Sequence, residues 1–372
     1  MLVSVATVHR LSRRDARRIA IRAQLLDATR PTDFADVVRR LTVLQLDWTA
    51  AVAPSADLVL WSRLGSSYSS AELRSALADH SVVDLRAMLR LGEDIALYRA
   101  DMANWPGTGE LRNYNKTQRD WVQTNDFCRR DIIRRLRSSG PMKQSELPDT
   151  CVKSWASSGW NNDKNVAMML EFMTQRGEVA VAGRYGRDRL WDLAERVYPD
   201  APIVPADEAE RIRNENRLRS LGIARARGPE CPVEPADVGD VGEAAVIDGV
   251  PGEWRVDPGQ LGQPFTGRTA LLSPLDRLIH ERTRMRELFE FDYALEMFKP
   301  AQQRRWGYYA LPILHNDRLI GKLDATTNRE TGVLRVNAVH EDASFSKAVA
   351  AAVDHEIAEL TRWLQHEHAA RK

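Results

Sequence analysis

Cysteine is scarce in this 372-residue chain. Cys128, Cys151 and Cys231 are odd in number, far apart and without a CxxC pair, so they supply neither a disulfide framework nor the spacing of a zinc site. No His-x-x-x-His or glutamate-rich ligand cluster occurs either, and neither a metal nor a cofactor is expected. Long hydrophobic runs are missing. Nothing approaches the ~18 apolar residues of a membrane span, and Met1 to Arg14 lacks the apolar stretch and cleavage site of a secretory signal. A cytoplasmic protein with no membrane partner is therefore the expectation. The phosphate-binding pattern GxxxxGK(S/T), the dinucleotide pattern GxGxxG and the nucleophile elbow GxSxG are absent where they could work. That removes support for nucleotide hydrolysis, dinucleotide redox and serine-hydrolase chemistry.

Excess charge is lacking too. The net charge is +1, so no overall basic field demands a nucleic-acid partner. Lysine is rare: of 53 basic residues eight are lysine and 45 arginine. Arginine makes forked contacts with phosphate. A GC-rich genome produces the same bias, so only clustered arginines count.

What is present is helix-rich in the first half and strand-rich in the last third. At ~100–200 residues per domain the length suggests two or three domains. Residues 1–104 read as a helical unit, with amphipathic helices over 13–28 and 33–44, a short helix ending at Gly65, a strand over 82–85 and a helix over 93–104. A polar linker follows. Residues 117–200 read as a helix, a short helix, a helix over Asn165–Gln175 and two strands around a Gly/Arg tip, the order of a winged helix. Its tip carries Arg184, Arg187 and Arg189. Residues 201–372 contain a charged helix, strands over 294–298, 308–314, 319–324 and 333–339, hairpin turns at 315–318 and 327–332, and a closing helix over 345–365.

Between the second and third helices of the first unit stands Leu44-Gln45-Leu46-Asp47-Trp48. In an extended segment residues i and i+2 share a side, so the Gln45 carboxamide and the Asp47 carboxylate would face one space with Leu46 opposite. Such a pair holds a water or stabilises a developing positive charge. It also serves as an ordinary polar strand end. The run from Lys299 to Tyr309, with Arg304, Arg305 and Trp306, combines bases with aromatics. That mix suits phosphate contact and base stacking, and equally a strand with a polar rim.

Together these stretches resemble the winged-helix DNA glycosylases of the AlkX/AlkZ (YcaQ-like) type. The likeness rests on Leu44 to Asp47, Leu60 to Gly65, Leu271 to Asp276, Glu290 to Tyr293, Arg304 to Leu314 and Gly321 to Asp324, and spans nearly the whole chain. It implies an α+β, helix-rich fold of three tandem winged-helix units around a concave DNA-binding channel. The family's catalytic motif is Gln-x-Gln in one branch and Gln-x-Asp in the other. Gln45-Leu46-Asp47 is similar to the second, which excises alkylated purines and unhooks interstrand crosslinks. By that likeness Gln45 and Asp47 are the expected catalytic residues. Arg63, Arg184, Arg187, Arg189, Arg304, Arg305, Trp306, Asn328 and Arg329 are the expected DNA contacts, and one of the two hairpins probes the minor groove. No lysine stands beside the pair, so hydrolysis without a Schiff base is expected. The partner is double-stranded DNA bearing alkylated purines or crosslinks, met by a nucleoid-associated monomer. The competing expectation is a winged-helix regulator without enzymatic activity. Against it, helix Asn165–Gln175 is filled with Met, Leu and Phe rather than base-reading side chains.

Overall fold

The computed structural model describes residues 7–370 except 158, 160, 187, 230, 232, 233 and 329. It is a mixed α+β protein of two compact units. The first runs to Glu72 and resumes at Asn214; the second is Leu73–Arg213. The sequence reading divides the chain at 104 and 200 instead. The discontinuous first unit arises because strand His9–Leu11 pairs in parallel with Glu243–Ile247, His9 opposite Ala245, a partnership between segments too distant for local patterning to show. Among the described residues no helix is long and apolar enough to cross a membrane.

The first unit holds two four-stranded sheets. One has the order His9–Leu11, Glu243–Ile247, Val250–Val256, Ile223–Arg225. The other is antiparallel throughout, in the order Thr269–Leu271, Leu311–His315, Arg318–Thr327, Leu334–Glu341. Its core gathers Ile19, Ile21 and Leu26 with Trp254, Leu272, Leu278, Met285 and Leu314. Helix Arg13–Ala23 is capped by Ser12, which accepts from Asp15 N–H. It ends five residues before the expected Ala28, because Leu25 turns left-handed (φ 59°) and Leu26 N–H reaches back to Ile21 O at 3.0 Å. Helix Phe34–Leu41 starts at the expected cap, Asp33.

Every residue of helix Ser55–Leu64 is buried. That helix carries Arg63, whose guanidinium forks onto the Asp276 carboxylate, with both side chains fully buried. Arg63 also donates to Gln24 O at 3.0 Å and to Ser62 Oγ at 2.9 Å. Asp276 in turn caps helix Arg277–His280 through Leu278 N–H. A charge pair is stable there only because nearly every donor and lone pair is used.

In the second unit the strands run in the order Met88–Leu91, Val82–Leu85, Val179–Tyr185, Asp188–Leu193, Met142–Lys143. The single helix expected over 117–136 is two, Asn113–Thr124 and Asp126–Ser139, separated at Asn125. Asn125 is buried and uses its side chain on Trp121 O and on both polar groups of the Lys153 backbone. Trp121, Trp155 and Phe172 meet edge to face, with centroids 5.2–5.9 Å apart.

One expected strand is missing: 294–298 is irregular. Glu296 folds its carboxylate back to accept from Arg305 and Trp306 N–H at 2.7 and 2.8 Å, so this segment packs through a side chain rather than a ladder.

Replacing Arg63 with alanine leaves the Asp276 charge buried and unpaired, and should cost about 3–5 kcal/mol of folding stability. Denaturant titration measures it; a loss below about 1 kcal/mol would mean that Asp276 had found another partner.

Candidate active site

Gln45 and Asp47 are half-buried and Leu46 between them is buried, the alternation of an extended chain. Two bonds fix the turn that follows. Thr49 N–H donates to Asp47 Oδ1 at 2.7 Å, and Ser55 N–H donates to the Asp47 carbonyl at 3.1 Å. The second satisfies an N-terminal donor of helix Ser55–Leu64, where no side chain caps it.

From that helix Ser55 Oγ meets Ser273 Oγ at 2.9 Å, both buried. Beside them lies Tyr309, fully buried. Burial pushes its phenol up to about 12; Ser273 pulls the other way, and the charge of Asp47 adds to the rise. The phenol therefore keeps its proton throughout the neutral range. Gln45 Oε1 is buried with no hydrogen-bond partner among the described residues, whereas the Tyr309 hydroxyl lies against the Ser55 and Ser273 hydroxyls, whose hydrogen bonding opposes the rise in its pKa. Folding does not ordinarily leave buried polar atoms unpaired. Trp48, next to the carboxylate, is 43 % exposed.

The C-terminal hairpin reaches the same neighbourhood. Thr327 N–H donates to Ala51 O at 2.8 Å, which ties the end of strand Arg318–Thr327 to the loop after Asp47. Asn328 is exposed, but its side-chain oxygen accepts from Glu330 and Thr331 N–H and so holds the turn together. Arg329, the other expected contact there, lies outside the described residues.

Arg304 and Arg305 line a cleft of about 390 Å³ with Tyr308, Asp324, Thr326, Asn337 and His340. Arg304 lies over the Tyr308 ring at 4.9 Å. Arg305 is 71 % exposed and 3.3 Å from Asp292. Gly307, at φ 112°, lets the Asp324 carboxylate approach where a Cβ would collide with it.

Two expected contacts are corrected. Arg63 is part of the core, sealed against Asp276, and presents nothing to DNA. Trp306 is 7 % exposed and lies near-parallel to Tyr293 at 6.1 Å, with the Lys322 ammonium 4.8 Å from its ring. Its ring faces are used inside the protein, and Tyr308 is the aromatic that borders solvent.

In the second unit, Arg189 is paired with Glu171 at 3.0 Å and lies 3.8 Å from Asp84. Arg184 is half-buried nearby, and burial lowers its pKa. Arg187 lies outside the described residues. Sequence reasoning missed Tyr185, which is 68 % exposed with the Lys143 ammonium 4.0 Å from its ring. It also gave no role to Ser55, Ser273 or Tyr309, although the last two lie in the strings that carry the family likeness.

Known proteins share this fold and family. The solved structure of Streptomyces sahachiroi DNA glycosylase AlkZ superposes with a TM-score of 0.59 at 16% identity, covering 95% of this chain and 97% of that one; the likeness establishes the fold. A family profile described as "DNA glycosylase AlkZ-like" matches residues 38–363. That span includes the Gln45/Asp47 segment, the buried serine pair and the C-terminal hairpin, and the chain belongs to the AlkZ-like DNA glycosylase family.

Proposed function

We propose that this DNA glycosylase hydrolyses the N-glycosidic bond of alkylated purines, with interstrand crosslinks within its range, through Gln45 and Asp47 of a Gln-x-Asp motif. The observation that carries the reading is the Asp47 carboxylate on the same extended segment as the buried, open Gln45 carboxamide oxygen, close enough to the buried Tyr309 hydroxyl for its charge to raise the phenol's pKa. A purine alkylated on a ring nitrogen is cationic and leaves with little acid catalysis. The enzyme must stabilise the positive sugar and bring water to its anomeric carbon. In the proposed step the carbon–nitrogen bond breaks and its electron pair leaves with the base. The water oxygen bonds to the sugar, and its proton passes to Asp47. The Gln45 carbonyl accepts from that water and the protonated Tyr309 positions it. Lys322, the one lysine in the neighbouring strand, is buried against Asp342, which fits hydrolysis without a Schiff base.

The fold is read further as tandem winged-helix units. Its best support is the second unit, where three helices and the short strand Met142–Lys143 precede the ribbon of Val179–Tyr185 and Asp188–Leu193. Helix Asn165–Gln175 buries Met169, Leu170, Phe172 and Met173. That leaves it poorly equipped to read bases and favours duplex binding through phosphates.

Asp47→Asn should lower single-turnover release of methylated purine from duplex DNA by about 100- to 10,000-fold, the usual worth of a general base, with DNA affinity equal or tighter. Gln45→Ala should lose less. Tyr309→Phe should slow release by about fivefold, roughly one hydrogen bond, and lower the denaturation midpoint only slightly, because its hydroxyl also touches Ser55 and Ser273. Near-wild-type release by Asp47→Asn would make the pair a structural strand end.

Duplex binding should weaken steeply with salt and show little sequence preference. Replacing Arg184 and Arg187 together by alanine should reduce the slope of log affinity against log salt by about 0.9 for each phosphate that is no longer neutralised. An unchanged slope would remove the ribbon from the interface.

The tip Thr327–Gly332, tethered beside the Asp47 loop, is proposed to face the duplex at the lesion. Shortening it to a two-residue turn should lower excision while circular dichroism and melting temperature stay as in the parent. Full excision by that variant would refute the assignment.

A further inference from the structure

Cys128 and Cys151 are separated by a helix end, a strand and a loop, and their spacing matches no metal signature. Folding brings them together. Cys128 lies fully buried on helix Asp126–Ser139, and Cys151 is half-buried on the irregular segment before helix Asn165–Gln175. Asp149 joins them from the surface side, and the two sulfurs and a carboxylate oxygen all lie within 4.8 Å of one another.

We propose that Cys128, Asp149 and Cys151 form a site for a thiophilic divalent cation, zinc(II) by its chemistry. Two soft sulfurs with one hard oxygen suit that ion. In a tetrahedral zinc site ligand atoms stand about 3.3–3.8 Å apart, so a contraction of at most about 1.5 Å closes the set. Two of the three ligands sit on an irregular segment that can supply that movement. Asp149 is already oriented: its Oδ1 accepts from Cys151 N–H at 3.0 Å and its Oδ2 from Asn165 Nδ2 at 2.8 Å. Such outer bonds hold a ligating carboxylate in place, and each oxygen retains a second lone pair. Between the ligands in sequence, the Thr150 hydroxyl and backbone N–H lie against the Cys128 sulfur, donors suited to a metal-bound thiolate. On binding, the two thiols lose their protons to solvent as the metal–sulfur bonds form.

The site would fasten the segment between Leu147 and Asn165 to helix Asp126–Ser139. That segment is otherwise pinned by side chains on its backbone, among them Trp121 Nε1 to Lys153 O at 2.9 Å and Trp155 N–H to Asn165 Oδ1 at 2.8 Å. Metal here stabilises the ribbon-bearing unit. It takes no part in the proposed glycosylase step, so the test below stands or falls independently of that reading.

The full chain, purified under reducing conditions and stripped with a chelator, is titrated with zinc(II) alone against a colorimetric zinc indicator, and with cobalt(II) as an absorbing probe. One equivalent should bind, raise the melting temperature and give a thiolate-to-cobalt charge-transfer band. Cys151→Ser is the informative variant, because its half-exposed position tolerates the change better than buried Cys128. It should abolish stoichiometric binding and the band, and Asp149→Asn should weaken binding by at least roughly 10-fold. Cys231→Ser, outside the cluster, should bind as the parent does. Three results would overturn the proposal: no zinc bound by the folded chain, binding unaltered in Cys151→Ser, or recovery of Cys128 and Cys151 from the reduced preparation as a disulfide.

Discussion

The pair formed by Arg63 and Asp276 fixes the candidate site more than any contact within it. Both side chains are fully buried, and together they join helix Ser55–Leu64 to the segment that follows strand Thr269–Leu271. A lone charge at that depth costs several kcal/mol, so the two elements are held in one alignment. At the other end of the same helix, Ser55 meets Ser273. Two links, one ionic and one neutral, therefore clamp the helix against residues 273–276 along its length. Further cations reinforce the same place: Arg30 and Arg268 both donate to Ser62 O, and burial brings Arg268 down to about 9.

The carboxylate inherits its position from this clamp. The Asp47 carbonyl receives the first free N–H of the clamped helix, and its side chain is turned by Thr49. The hairpin is tied to the same loop through Thr327 and Ala51. A glycosylase gains most from groups set in advance around the charge that develops on the sugar. Here the negative group stands on a short loop between two rigid attachments, close to a tyrosine that burial keeps protonated. The Gln45 carboxamide oxygen, buried and without a partner among the described residues, carries a cost in stability.

Much of this was legible in the sequence. The cap at Asp33, the stop at Gly65, helix Asn165–Gln175 and the two C-terminal hairpin turns follow from local rules of capping, periodicity and turn chemistry, and the strings around Gln45, Ser273 and Tyr309 pointed to the family. Strand 294–298 was misread because a short apolar run does not reveal that Glu296 will bond to a backbone ten residues away. Arg63 and Trp306 were misread as DNA contacts for a related reason. An arginine or tryptophan in a promising string has the same letter whether it faces solvent or Asp276.

What the sequence determined by itself is the alternation Gln45-Leu46-Asp47, which depends only on the two-residue period of an extended chain, and the helices whose caps and apolar faces lie within a few turns. What only the tertiary structure decided are the partnerships across long separations: His9 with Ala245, Arg63 with Asp276, Ser55 with Ser273, and Cys128 with Cys151. Local propensity is set by atoms a few bonds apart. Those pairings are set by which buried charges, hydroxyls and sulfurs remain to be satisfied once the core has closed, a condition of the whole chain.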